Sequence, residues 1–123
     1  MSFATSSIRD STWIATSALT RIGAASVDNP APVEDLALAL DRLDVVVQNL
    51  QARGILYLAD VDRTPSGIAH ELANALALSL QPDFGDNTPP GAGALPPQDV
   101  IDANLRRQTA DLVSYGPQQA TYY

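Results

Sequence analysis

The chain has 123 residues, of which 46% are hydrophobic but only 6% aromatic, and a net charge of −7. That length suits one domain with a modest core of Ala, Leu, Val and Ile. The acidity argues against a sequence-independent grip on phosphates, which needs clustered Lys and Arg, and all seven basic residues are arginines.

No cysteine is present, so no disulfide framework is expected. The opening Met1–Ser7 lacks the charged start and long apolar run of a signal peptide. No stretch approaches the roughly 18 apolar residues of a membrane span. A soluble, acidic protein without a visible secretion signal is expected.

Residues 8–22 place Ile8, Ile14, Ala15, Ala18, Leu19 and Ile22 at helical spacing, closed by Gly23, with Ser6 or Ser7 as the expected cap. Residues 24–32 hold turn formers and two prolines and read as a loop. A second helix begins near Pro32, with Glu34 and Asp35 set against the positive end of its dipole. Its apolar stripe runs through Leu36, Leu40, Leu43, Val47 and Leu50 to a stop at Gly54. Leu40, Leu43 and Val47 are expected to pack on Ile14, Leu19 and Leu72 or Leu76. Asp41, Arg42, Asp44, Gln48 and Gln51 fall mostly off the stripe, as a solvent face should.

Ile55–Leu58 reads as an extended link or one arm of a small hairpin, and Asp60–Arg63 as a charged turn. Thr64–Pro65 then starts a third helix, a capping oxygen followed by proline at the first helical position. Ile68, Leu72, Ala75, Leu76 and Leu80 form its stripe, with Ala69, Ala73 and Ala77 beside it. Small residues let another backbone approach closely, which suits a central helix or a subunit contact.

Two fragments on this helix imitate catalytic signatures. His70-Glu71 opens like the zinc-protease HExxH, but the position four residues on is Asn74, and the chain has no other histidine. His70 is expected as a partly exposed first-turn residue bonded to a neighbouring carbonyl. Asp83-Phe84-Gly85 spells the kinase metal motif without the lysine, catalytic loop or glycine-rich lid a kinase needs. It reads as a helix stop: Pro82 interrupts the ladder, Phe84 folds onto the last apolar turn and Gly85 tolerates positive φ.

Residues 85–97 hold four prolines and three glycines, a linker whose Gly91-Ala92-Gly93 lacks the context of a dinucleotide site. A fourth helix opens at Pro97-Gln98-Asp99 and runs to about Tyr115, its better face marked by Ile101, Leu105, Gln108 and Leu112. Gly116-Pro117 is the expected stop. Its thin stripe leaves two readings open: an arm carried by the linker, or a fourth bundle helix with a frayed end.

The expected fold is all-α, a small bundle of about four helices with a short extended segment and a projecting C-terminal arm. The divisions are a core at 1–85, a linker at 86–97 and the arm at 98–123. Leu112, Val113, Tyr115, Tyr122 and Tyr123 are the apolar contacts the arm would offer to a partner.

A helix closing on Ala18-Leu19-Thr20-Arg21-Ile22-Gly23, an acidic proline loop and LALALDRLDVVVQNLQARGI follow one another, and a later Ala-Leu helix finishes on Leu80-Gln81-Pro82-Asp83-Phe84-Gly85. In that order and spacing, over roughly residues 12–85, the chain resembles the head-to-tail adaptor (head completion, tail accessory factor) proteins of tailed bacteriophages. It departs from them at Asn49-Leu50-Gln51, where family members commonly carry a tryptophan, in a short stretch between Gly54 and Pro65, and after Gly85.

The resemblance implies a structural virion protein at the head–tail junction, assembled in the host cytoplasm. Such adaptors form a ring, expected here as a dodecamer, between the portal and the tail, extending the DNA channel and completing the head. Its implied partners are the portal protein, neighbouring copies, a downstream tail or tail-terminator protein, and genomic DNA passing without sequence-specific binding; no membrane is involved. An acidic lining would repel phosphates and let DNA slide. No catalytic, cofactor or metal residues are expected. The alternative is a small cytoplasmic helical interaction or regulatory module; an enzyme is disfavoured by one histidine, no cysteine and no lysine.

Overall fold

The computed structural model describes residues 8–26, 28–84 and 95–121, with side chains up to residue 109. Four helices form an all-α bundle: α1 (Ser11–Arg21), α2 (Val33–Ala52), α3 (Ser66–Phe84) and α4 (Gln98–Thr121). A minimal antiparallel pair joins β1 (Ile8–Arg9) to β2 (Thr64–Pro65), with Ile8 opposite Pro65 and Arg9 opposite Thr64.

That pair corrects two boundaries. The first helix starts at Ser11 rather than Ile8, and its cap is Asp10, whose carboxylate accepts the Trp13 N–H at 2.8 Å. Ile8 fits the helical stripe by spacing alone, so periodicity cannot separate it from the helix. Likewise Thr64–Pro65 belongs to β2, and α3 begins at Ser66. The Thr64 hydroxyl, fully buried, donates to the Val61 carbonyl instead of capping α3.

Helices α1 and α2 end in the same way. Gly23 and Gly54 adopt φ of 78° and 72°. The Ala24 N–H donates to Leu19 O and the Ile55 N–H to Leu50 O, while Gly23 and Gly54 donate to Thr20 O and Gln51 O. Both are Schellman stops, in which a left-handed glycine lets the orphan carbonyls of the last turn find donors.

Past Gly54 the Ile55–Leu58 segment is an extended link, anchored by buried Ile55 and Leu56 and by Gln51 donating to Leu58 O at 2.9 Å. Tyr57 points outward. Asp60 then caps a single 3₁₀ turn at Val61–Arg63.

α3 is the central helix, touching α1, α2 and α4. Its alanines at 69, 73, 75 and 77 are buried among Ile68, Leu72, Leu76 and Leu80. Against it α2 turns Ala39, Leu43, Val47 and Leu50, and α1 turns Ile14, Ala15, Ala18 and Leu19; Leu36 and Leu40 are only half-buried. Of the expected core residues on α2, Leu43 and Val47 are buried in the cluster that also holds Ile14, Leu19, Leu72 and Leu76, whereas Leu40, expected with them, is only half-buried at its edge.

Pro82 lies inside α3, which continues to Phe84, so the ladder is breached without ending there. Proline removes one N–H, and this is tolerable in a last turn that is already losing its partners. Phe84 packs on the core, while Gly85 lies outside the described residues.

α4 runs antiparallel to α3: Asn104 meets Glu71 and Gln108 meets Gly67. Ile101 and Leu105 are fully buried. Residues 98–109 therefore belong to the bundle, and an arm beginning at 98 is corrected to that extent. Of the 86–97 linker, residues 86–94 lie outside the described residues, and Leu95 packs half-buried against the core. α4 also passes Gly116-Pro117, the expected stop, and ends at Thr121. A Gly-Pro step costs one backbone bond and some entropy, which weakens a helix without forbidding it.

Candidate functional site

His70 sits on the second turn of α3 beside α1, and an arginine meets it rather than a loop carbonyl. Arg21 Nη2 lies 3.0 Å from His70 Nδ1, while Nη1 donates to His70 O and to Asn74 Oδ1, both at 2.9 Å. A guanidinium only donates, so in this contact Nδ1 is the acceptor. The position that would hold the second histidine of HExxH, Asn74, is thus an arginine ligand. Glu71 is buried toward α4, its carboxylate receiving Asn104 Nδ2 at 3.3 and 3.4 Å. Burial lowers the Arg21 pKa, and the nearby Glu71 charge acts the other way. Among the described residues no group of three His, Cys, Asp or Glu converges as metal ligands would.

The row extends beyond His70. The Trp13 ring stands edge-on to it, centroids 5.2 Å apart and planes at 84°, and the Arg9 guanidinium lies 4.9 Å from the Trp13 centroid. Arg9, Trp13, His70 and Arg21 form one cationic and aromatic line along the α1–α3 seam. Sequence spacing hides it, because His70 is 49 residues from Arg21 and 57 from Trp13 along the numbering.

Of the Asp83-Phe84-Gly85 fragment, Asp83 is a helix-end clamp. Asp83 accepts from Arg42 at 2.6 Å, and the same arginine donates to Ser79 O at 2.8 Å, tying α2 to the last turn of α3. A second ion pair, Arg53–Asp102 at 2.5 Å, joins the end of α2 to α4. Ser11 donates its hydroxyl and backbone N–H to Asp62 at 2.5 and 3.0 Å. These bonds hold the Asp62 pKa below its ordinary value, the hydroxyl contributing most.

The surface carries the more telling features. On the solvent side of α2, Glu34, Leu38, Asp41 and Val45 recur at steps of four, three and four, and all are exposed. Val45 is 57% exposed, and Tyr57 on the extended link 80%. Between α2 and α4, over α3, lies an open groove of about 620 Å³ lined by Val46, Leu50, Arg53, Ala75, Leu78 and Gln98, among others. Exposed apolar side chains interleaved with charge are the usual makings of a contact surface.

Leu112, Val113 and Tyr115 lie on the α4 backbone with side chains outside the described residues, and Tyr122 and Tyr123 lie outside them altogether. Among the described residues no helix is long and apolar enough to cross a membrane. Compared with protein-family models, curated proteins and solved structures, the chain matches none of them.

Proposed function

We propose that the chain is a structural virion protein, a head-to-tail adaptor that forms an oligomeric ring, a dodecamer, between portal and tail. In this role it extends the DNA channel and completes the packaged head. The observation that carries the reading is the repeated helix stop. Gly23 and Gly54, two of the glycines on which the adaptor resemblance rests, both close their helices with positive φ, ahead of buried Ala25 and Ile55. The motif order therefore corresponds to a backbone device used twice, followed by an α3 that closes on Asp83 and Phe84.

Function follows from shape and charge rather than from a reaction. A net charge of −7 disfavours phosphate trapping, so DNA slides past without sequence-specific contact. No catalytic, cofactor or metal chemistry is assigned. The partners are the portal, neighbouring copies and a tail or tail-terminator protein, at the head–tail junction of the virion.

α4 supplies the candidate portal contact. Gln108 already reaches Gly67, the second residue of α3, and the helix continues to Thr121. Those further turns span about 20 Å at the usual rise per residue. They carry Leu112, Val113 and Tyr115, with Tyr122 and Tyr123 beyond, as contacts to the portal or a neighbouring subunit. The extended link around exposed Tyr57 is the second docking candidate.

A small helical regulatory module shares the exposed α2 face as its supporting observation. Co-sedimentation with purified portal rings separates the two: an adaptor pellets with the portal at a fixed ratio, whereas a regulator remains in the supernatant as a small oligomer.

A further inference from the structure

The bundle has two unlike faces. On one, Arg9, Trp13 and Arg21 are half-buried along the α1–α3 seam, with His70 exposed beside them. Arg42 and Arg53 have carboxylate partners, but among the described residues no carboxylate comes within ion-pair distance of Arg9 or Arg21. Arg9 Nε is moreover buried without a hydrogen-bond partner. The other face is the outer side of α2, with exposed Glu34 and Asp41 interleaved with Leu38 and Val45. Neither acid has an arginine partner among the described residues. Because α1, α2 and α3 pack pairwise around one core, the outer α1–α3 seam points away from α2. The cationic-aromatic face and the acidic-apolar face therefore lie on opposite sides of the molecule.

We infer that these faces are the two halves of one contact between copies of this chain. The α2 strip of one subunit seats on the Arg9–Trp13–Arg21 strip of the next. Glu34 and Asp41 pair with the two arginines, and Leu38 between them covers Trp13. Glu34 and Asp41 are about 10 Å apart along α2 with Leu38 between them, the order of acid, apolar residue and acid that faces arginine, tryptophan and arginine. A contact between two different patches is heterologous, and it closes a ring when the rotation between successive copies does, and an open filament otherwise. This deepens the ring reading and rests on it for closure. Phosphates would also satisfy two arginines, but a net charge of −7 and the apolar half of the facing strip favour a second copy.

Charge reversal in pairs tests it on the full chain, by sedimentation velocity at low salt. Arg9→Glu combined with Ser17→Glu turns the seam from two positive charges to a net negative one while leaving Trp13 and Arg21 in place, and a carboxylate one turn before Arg21 is tolerated on a helix. Glu34→Arg with Asp41→Arg makes the α2 face basic. Each variant alone is expected to self-associate at least about tenfold more weakly than wild type, the scale of lost interfacial charge pairs. Mixing the seam variant with the α2 variant restores assembly, because the reversed faces now match and subunits alternate around the ring.

Variants that associate like wild type, or mixtures no better than their components, overturn the inference. So does a wild type that stays monomeric, or one that binds DNA fragments through Arg9 instead of its own copies. If reversal leaves assemblies intact and they still attach to portal, the faces are wrong and the adaptor reading stands. If mixing restores assembly but nothing attaches to portal, the faces stand and the adaptor reading falls.

Discussion

Asp62 and Ser11, 51 residues apart, are joined twice: one carboxylate oxygen accepts both the hydroxyl and the backbone N–H of the serine. The pair fastens the 3₁₀ turn to the start of α1 and sets a negative charge at a helix N-terminus, where the dipole favours it. Because these bonds hold the folded-state pKa of Asp62 below its unfolded value, their stabilisation is present above the unfolded pKa of about 4. It is lost as pH falls through the lower folded value. Asp62→Asn should therefore lower the melting temperature at neutral pH and flatten its decline below about pH 4. Thermal melts from pH 7 to 2 check this, and an unchanged acid limb would show the pair is not populated in solution.

The core has a sharp test on α2. Leu43 is 1% exposed and Val45, two residues on, is 57% exposed. Leu43→Ala should cost about 2–5 kcal/mol in urea unfolding. Val45→Ala should cost no more than about 0.5 kcal/mol, as surface changes do. Similar losses at both sites would mean that α2 is rotated from its observed facing.

Gly54 isolates backbone strain from packing. An added Cβ there would meet nothing within 4 Å, yet φ is +72°. Gly54→Ala should cost about 1–2 kcal/mol, the left-handed penalty for an L-residue, with no further cavity or clash contribution. Denaturant midpoints measure it, and a neutral result would show that α2 ends differently.

How much of this was legible beforehand depends on where each signal lies. α2 announced itself, because its stripe, acidic first turn and Gly54 stop are all local. Ile8 and Thr64–Pro65 misled because each fits a helix by spacing, and only the partner strand, far away in sequence, assigns them to a sheet. Docking of α4 was hidden for a related reason. Its stripe is thin, but Ile101 and Leu105 suffice when they face an alanine-rich helix. At Gly67 a Cβ would meet only the mobile amide end of Gln108, 2.2 Å from its Oε1, so α4 docks through its apolar residues rather than through a missing side chain there. The Arg9–Trp13–His70–Arg21 row had no local signature at all, since each of its links except Arg9–Trp13 and the α1 spacing crosses between helices.

The boundary of the bundle within α4 can be located by truncation. Removing residues 112–123 should leave the melting temperature nearly unchanged while abolishing attachment to the portal. Removing everything from residue 98 exposes the seat of Ile101 and Leu105, both fully buried, and should lower stability by several kcal/mol. Equal melting of the two truncations would mean that α4 contributes nothing to the core.

Electron microscopy of the protein mixed with its portal tests the adaptor reading most directly. The expected result is a ring of subunits stacked coaxially on the portal, with a continuous central channel and twelve-fold symmetry. Undecorated portals beside free monomers or small oligomers, at concentrations where the protein is folded, would contradict it.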